Sequence, residues 1–468
     1  MSRTPGIAAR FIAGLSFADL PGDVVAKAKL CFADTLAAAI AGRAASSSAI
    51  AAGLAASWWP AGEAHLLLDG GAVAGVGAAF ANAVAANALD IDDCGIYTWG
   101  HPGAQVVPTA LALAEQEHLD GHGLLTAIVV GYEVAFRAGR CLNFELTKVA
   151  AAERRFRACG SWGSPACAGI ACNVRGLDAE TTSQALGIAE YHSPDLPMMR
   201  DVDSPAMVKH GVGVGALTGI LAADLAARGF TGIVPSLELE EFADFVADFG
   251  SFYLLPRGIT WKRYSSCAWT HPALLAIDGL VARHGFAAGD VAHVLIETYP
   301  DAVRLGTRPP ATTEEAQFNL AWPVAAFLVD GEVGPRQVLE ERLAAPAIRE
   351  MAGRIEVRVS EELSRLYYLS EANDSAGKDA ASVTVTLRDG RVVSSGTVEH
   401  VLYPDPPWDA AEMTAKFTWL TTPHLRPAAR DRITDLVGAI DEVADVREFT
   451  EELCAALLPV QSPRKGKA

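Results

Sequence analysis

Apolar positions recur at helical spacing through the first half of the chain. Pro21-Gly22-Asp23 opens the first clear segment, with Asp23 as its expected N-cap. Phe32, Leu36 and Ile40 then fall every four residues on one face, and Gly42 is the expected stop. Residues 72–89 are almost all small and apolar, the pattern of a helix buried on every side. Residues 124–140 set Ile128, Tyr132 and Phe136 on one stripe. The stretches 165–175, 179–191 and 212–228 continue the helical texture; Leu217, Leu221 and Leu225 line the last, and Gly229 closes it. No strand-like alternation stands out before residue 285.

The texture then changes. Residues 291–299 read as a strand, and in 354–359 Ile355, Val357 and Val359 alternate with charged residues. Residues 382–387 and 392–398 flank Arg388-Asp389-Gly390-Arg391, and Asp-Gly between two β-rich runs signals a hairpin. After Tyr403-Pro404-Asp405-Pro406-Pro407 the pattern returns to helix through residue 457. The expected architecture is mainly α. A large all-helical domain is built from both ends of the chain (1–265 and 404–457), a smaller α+β domain (266–403) is inserted, and a tail (458–468) follows.

Composition narrows the classes. The 468 residues are 50% hydrophobic, and the mean hydropathy of +0.21 excludes a disordered chain. The hydrophobicity is carried by alanine, and no apolar run reaches the roughly 18 residues needed to span a bilayer. The N-terminal residues make a poor secretory signal. With 38 basic against 56 acidic side chains the net charge is −18, which disfavours nucleic acid as a partner. The eight cysteines show no Cys-x-x-Cys spacing of a zinc or redox site and no ligand run for an iron–sulfur cluster, and a cytoplasmic protein with reduced thiols fits best.

Three clusters concentrate chemistry. Asp90-Ile91-Asp92-Asp93-Cys94 follows the buried-type helix and precedes Trp99-Gly100-His101-Pro102-Gly103. Three carboxylates in four residues beside a histidine suit a base, a metal site or a helix cap. Met207-Val208-Lys209-His210-Gly211 places a cation at a helix N-terminus, against the macrodipole, where a bound anion would explain it. Trp261-Lys262-Arg263-Tyr264-Ser265-Ser266-Cys267, followed by His271, sets adjacent cations among aromatics, which suits a carboxylate clamp or an exposed basic loop packed by aromatic stems. His271 itself reads as a capping or core histidine.

Together these clusters resemble the MmgE/PrpD family, which includes 2-methylcitrate dehydratase, cis-aconitate decarboxylase and iminodisuccinate epimerase. The resemblance is carried by Phe32-Ala33-Asp34-Thr35-Leu36-Ala37, by Asn87 to Asp93 with His101-Pro102-Gly103, and by Gly131-Tyr132-Glu133. It continues through Val208-Lys209-His210-Gly211, Gly229-Phe230-Thr231-Gly232, Lys262-Arg263-Tyr264 and Ala325 to Gly331. It implies a helical domain with a smaller α+β lid, a homodimer, and an active site between the domains that uses no metal or organic cofactor. Asp90, His101, Lys209 and Lys262 would be catalytic. Cys94, Arg157, His210, Arg263, Tyr264, Cys267 and Trp322 would bind substrate.

Three positions depart from the family pattern: Cys94 stands for a threonine, Arg157 for a histidine and Trp322 for a tyrosine. An arginine cannot shuttle a proton, so the Arg157 departure implies weak activity on 2-methylcitrate and cis-aconitate. The expected activity is a cofactor-independent lyase, dehydratase or decarboxylase, acting on a small di- or tricarboxylate through proton transfer α to a carboxylate. An epimerase on the same scaffold is the alternative. Asp-x-Asp-Asp also occurs in class II terpene cyclases, but at 7% aromatic residues the chain fits a carbocation cavity poorly. A non-catalytic helical scaffold would not need Asp90, His101, Lys209 and Lys262 to converge.

Overall fold

The computed structural model describes residues 5–143, 156–372, 379–400 and 408–459, without the side chains of 368–372. The expected boundary at 404 and the tail from 460 lie outside these residues. The fold is mainly α. Helix α1 (Gly22–Gly42) starts two residues earlier than expected, after Pro21, and Asp23 sits in its first turn rather than at the cap. There its charge still favours the helix dipole. Gly42 is not a left-handed stop. A Cβ at that position would lie 1.9 Å from the Ala85 carbonyl oxygen, so glycine is what lets α1 meet α2 (Gly75–Asn87). The helix α2 begins later than expected because Ala72–Val73 pairs antiparallel with Ala64–His65.

Helices α3 (Gly103–Gln116), α4 (Gly121–Leu142), α5 (Cys159–Val174), α6 (Ala179–His192) and α7 (Val212–Ala226) complete the helical mass. The small residues of α7 pack on α5, α6 and α2, and α3 packs on α2 and α5. This is the alanine-rich core anticipated from the composition, and its residues are almost wholly buried.

The chain then builds the α+β part. Helix α8 (His271–His284) packs on a four-stranded sheet of β1 (Val291–Thr298), β2 (Ile355–Val359), β3 (Asp379–Leu387) and β4 (Val392–His400). The strand order is β2-β1-β3-β4, with β1 and β2 parallel and the other pairs antiparallel. The β3–β4 hairpin turns at Asp389-Gly390, where Gly390 has φ +91°. Helix α9 (Ala410–Thr421) returns to pack along α1. Its Lys416 reaches the buried Asp34 of α1 and donates to the Ile91 carbonyl oxygen at 2.8 Å. Among the described residues no helix is long and apolar enough to cross a membrane.

Candidate functional site

The loop after α2 carries the acidic cluster, and each of its carboxylates is held separately. Asn87 Nδ2 donates to both Asp92 oxygens at 3.0 Å. Asp93 accepts from the Gly103 amide at 3.0 Å and from the Tyr132 hydroxyl at 2.7 Å. Gly103 is required there: a Cβ would meet Thr35 Oγ1 at 2.4 Å and Asp93 at 2.8 Å. Burial, reinforced by the charge of Asp34, pushes the Asp93 carboxyl up to about 7. Burial likewise pushes Asp34 up to about 6, against the pull of Lys416.

A two-residue antiparallel ladder, Cys94–Gly95 against Ile259–Thr260, draws the Lys262 segment onto this loop. Lys262 Nζ donates to Asp90 Oδ1 at 2.7 Å, and to the carbonyl oxygens of Asp90 and Ser266 at 3.1 Å each. Lys209 arrives from the turn before α7. Its Nζ lies 3.9 Å from Asp90 Oδ1, donates to Gln317 Oε1 at 2.6 Å and sits 4.9 Å over the Phe318 ring. Gln317 in turn donates to the Ala88 carbonyl oxygen at 2.9 Å.

His101 completes the centre. Its Nε2 lies 3.2 Å from Asp90 Oδ1, and its Nδ1 lies 2.8 Å from the Asp93 carbonyl oxygen and 3.3 Å from Asp92 Oδ2. Nδ1 faces the Asp93 carbonyl and Asp92 oxygens, to which it donates when it carries a proton, and Nε2 faces the Asp90 carboxylate, so both ring nitrogens are directed at acceptors. The His210 ring stacks parallel to that of His101 with centroids 5.8 Å apart, and its Nδ1 lies 3.0 Å from Asp201 Oδ2. Burial lowers the basicity of His210, against the pull of Asp201.

Burial alone would raise the Asp90 carboxyl. Lys209, Lys262 and His101 outweigh it and hold the group well below the usual carboxylate range. Asp90 Oδ2 has no hydrogen-bond partner among the described residues. Backbone strain marks the same place. Asp90 (φ +53°), Trp99 (+48°), Lys209 (+35°) and His210 (+57°) all lie in the left-handed region. Such conformations cost about 1–3 kcal/mol each and persist only where surrounding contacts enforce them.

These groups border a pocket that opens to solvent. Asp90, His101, His210, Cys94 and Cys267 are in its lining. Burial keeps both thiols protonated, that of Cys267 pushed up to about 12. Lys209 and Lys262 stand behind Asp90 rather than in the lining, and Lys262 borders a second, open crevice.

The structure places four other residues of the expected substrate-binding set elsewhere. Arg157 pairs with Asp195 and donates to the Leu142 carbonyl oxygen at 2.9 Å, outside the described lining. Arg263 is largely exposed, with its guanidinium 5.2 Å over the Trp408 ring. Tyr264 packs edge-on against His271, 5.2 Å between centroids. Trp322 is buried in the core, its Nε1 donating to the Gln337 carbonyl oxygen at 2.9 Å.

Sequence reading passed over Gln317, Phe318, Met198, Tyr367 and Asp379, which lie in or beside the pocket. They are single residues from separate elements, and nothing in their local pattern singles them out. Asp90, Asp92 and His101 offer ligand atoms within 4.8 Å of one another. Two ammonium groups already face the Asp90 oxygen, however, and would repel a cation placed there.

Several motif residues outside the pocket brace it: Asp34 through Lys416, and Tyr132 through Asp93. Similar proteins align along nearly the whole chain. Two proteins of Aspergillus terreus named cis-aconitate decarboxylase are 26% and 25% identical, each alignment covering 95% of this chain and 94% of the relative. A cis-aconitate decarboxylase-like protein of Aspergillus oryzae is 24% identical over 94% of this chain and 95% of its own length. The family model for the MmgE/PrpD N-terminal domain matches residues 7–249, and that for the MmgE/PrpD C-terminal domain matches 264–442. The chain therefore belongs to the MmgE/PrpD family and is an enzyme of that type.

Proposed function

We propose that the protein is a cofactor-independent lyase, a decarboxylase or dehydratase, acting on a small di- or tricarboxylate by proton transfer at the carbon α to a carboxylate. The observation that carries this reading is the placement of His101. Nδ1 is anchored on the Asp93 carbonyl oxygen, Nε2 lies 3.2 Å from Asp90, and both His101 and Asp90 line the pocket. The names of the Aspergillus relatives support the decarboxylase form.

The roles follow from charge. Asp90, held as an anion by two lysines, is a weak base and serves to orient and stabilise a charged His101. His101 moves the proton. In a decarboxylation, the carbon–carbon bond to the carboxylate breaks and carbon dioxide leaves. The electron pair stays as an enolate-like anion conjugated with a remaining carboxylate, and His101 protonates the carbon. In a dehydration, the base takes the α-proton and hydroxide leaves from the β-carbon. The buried lysines behind Asp90 supply fixed positive potential to either anion. Working as a homodimer also belongs to this proposal; light scattering showing a monomer at micromolar concentration would remove it.

The test is to incubate the purified enzyme with a panel of di- and tricarboxylates. Released carbon dioxide, new unsaturation and α-proton exchange in deuterated water are then followed. Turnover or exchange that disappears in His101→Asn is expected. Absence of turnover, exchange and thermal stabilisation by every acid tried would overturn the reading.

A further inference from the structure

The pocket's described lining is uneven in a way that speaks to the substrate. Its carboxylates are Asp90 and Asp379, beside the two imidazoles of His101 and His210; no lysine or arginine is among the described lining residues. Lys209 and Lys262 are engaged with Asp90, Gln317 and backbone carbonyls, and Arg157 pairs with Asp195. The same lining holds Trp99, Phe156, Met198, Val202, Trp269 and Phe318, the last edge-on to His210. Trp99 and Phe156 stack with centroids 4.9 Å apart. Trp99 holds its place with φ +48°, a conformation a bulky residue adopts only under constraint.

A substrate with a carboxylate on every arm would set one of them against this wall, where an unpaired charge is strongly disfavoured. We infer that the substrate is a small carboxylic acid carrying one hydrocarbon or aryl arm of several carbons, which lies against Trp99 and Phe156 while a carboxylate meets His101 and His210. The inference rests on the carboxylate reading above and narrows it: the enzyme selects against acids that are polar on all sides.

Three unreactive probes test it by titration calorimetry on the intact enzyme: succinate, phenylsuccinate and propane-1,2,3-tricarboxylate. Phenylsuccinate is expected to bind at least about tenfold more tightly than either of the others, the gain from burying one phenyl group. Trp99→Ala should abolish that advantage. Trp99→Leu, which keeps apolar volume, should reduce it severalfold, and it serves if the alanine variant does not fold. Succinate affinity should be unchanged in both variants. Tricarboxylate binding as tight as phenylsuccinate, or an advantage that survives both substitutions, overturns the inference and leaves the lyase reading intact. Binding of none of the three removes the carboxylate reading and the inference together. The expected order of affinities without turnover of any acid supports the inference and counts against the lyase reading alone.

Discussion

Lys262 Nζ and Asp90 Oδ1 meet at 2.7 Å across 172 residues of chain, both almost fully buried. The pair joins the loop after α2 to the segment that leads into α8. Replacing Lys262 by Met leaves a buried carboxylate short of one cation. That should lower stability by about 3 kcal/mol. The double variant Asp90→Asn/Lys262→Met should regain part of that loss, because the uncompensated charge is gone. Urea unfolding of the two single variants and the double decides; strictly additive losses would show the pair to be unimportant.

His101→Asn should fold normally and lose about 10²–10⁴-fold in turnover, the usual contribution of a positioned acid–base group. The side-chain amide can still reach the Asp93 carbonyl oxygen, so the defect should fall on kcat. A loss under tenfold in steady-state assays would assign the proton transfer to another group.

Asp93 makes stability depend on pH with a definite sign. Its carboxyl titrates at about 7 in the folded protein against an ordinary value of 3.8. Between those values the folded state holds a proton that the unfolded state has lost, so this contribution to stability is lost as pH rises from about 4 to about 7. His400, lowered by burial to about 4, acts in the opposite direction. The clean measurement is therefore a difference. Asp93→Asn, which mimics the neutral acid, should gain stability relative to wild type as pH rises from 5 to 8. A pH-independent difference in melting temperature would contradict the assignment.

Arg157 and Trp322 should prove to be framework residues. Arg157→His is expected to leave kcat/KM within about threefold of wild type, since the side chain is partly exposed and paired with Asp195. Trp322→Phe should cost about 1 kcal/mol for the lost bond to Gln337 and leave KM unchanged. A large change in substrate affinity from either substitution would return that residue to the site.

The local sequence determined what local physics controls. The spacing of Phe32, Leu36 and Ile40 determined α1, the Asp389-Gly390 turn determined the β3–β4 hairpin, and the alanine-rich runs determined a mainly helical core. The acidic loop, His101, Lys209 and Lys262 were legible as chemistry because each puts a charge where solvation or the helix dipole would not by itself favour one. Tertiary structure alone decided who meets whom. The pairing of Cys94–Gly95 with Ile259–Thr260 carries Lys262 to Asp90, and the turn of left-handed residues before α7 aims Lys209 at the same oxygen. Whether a cation lines a pocket or stands behind a carboxylate depends on contacts between residues far apart in the chain, and no local pattern encodes them. For that reason Arg157, Arg263, Tyr264 and Trp322, which match positions in a motif, came to lie outside the described lining. Phe318 and Met198, which match none, became its wall.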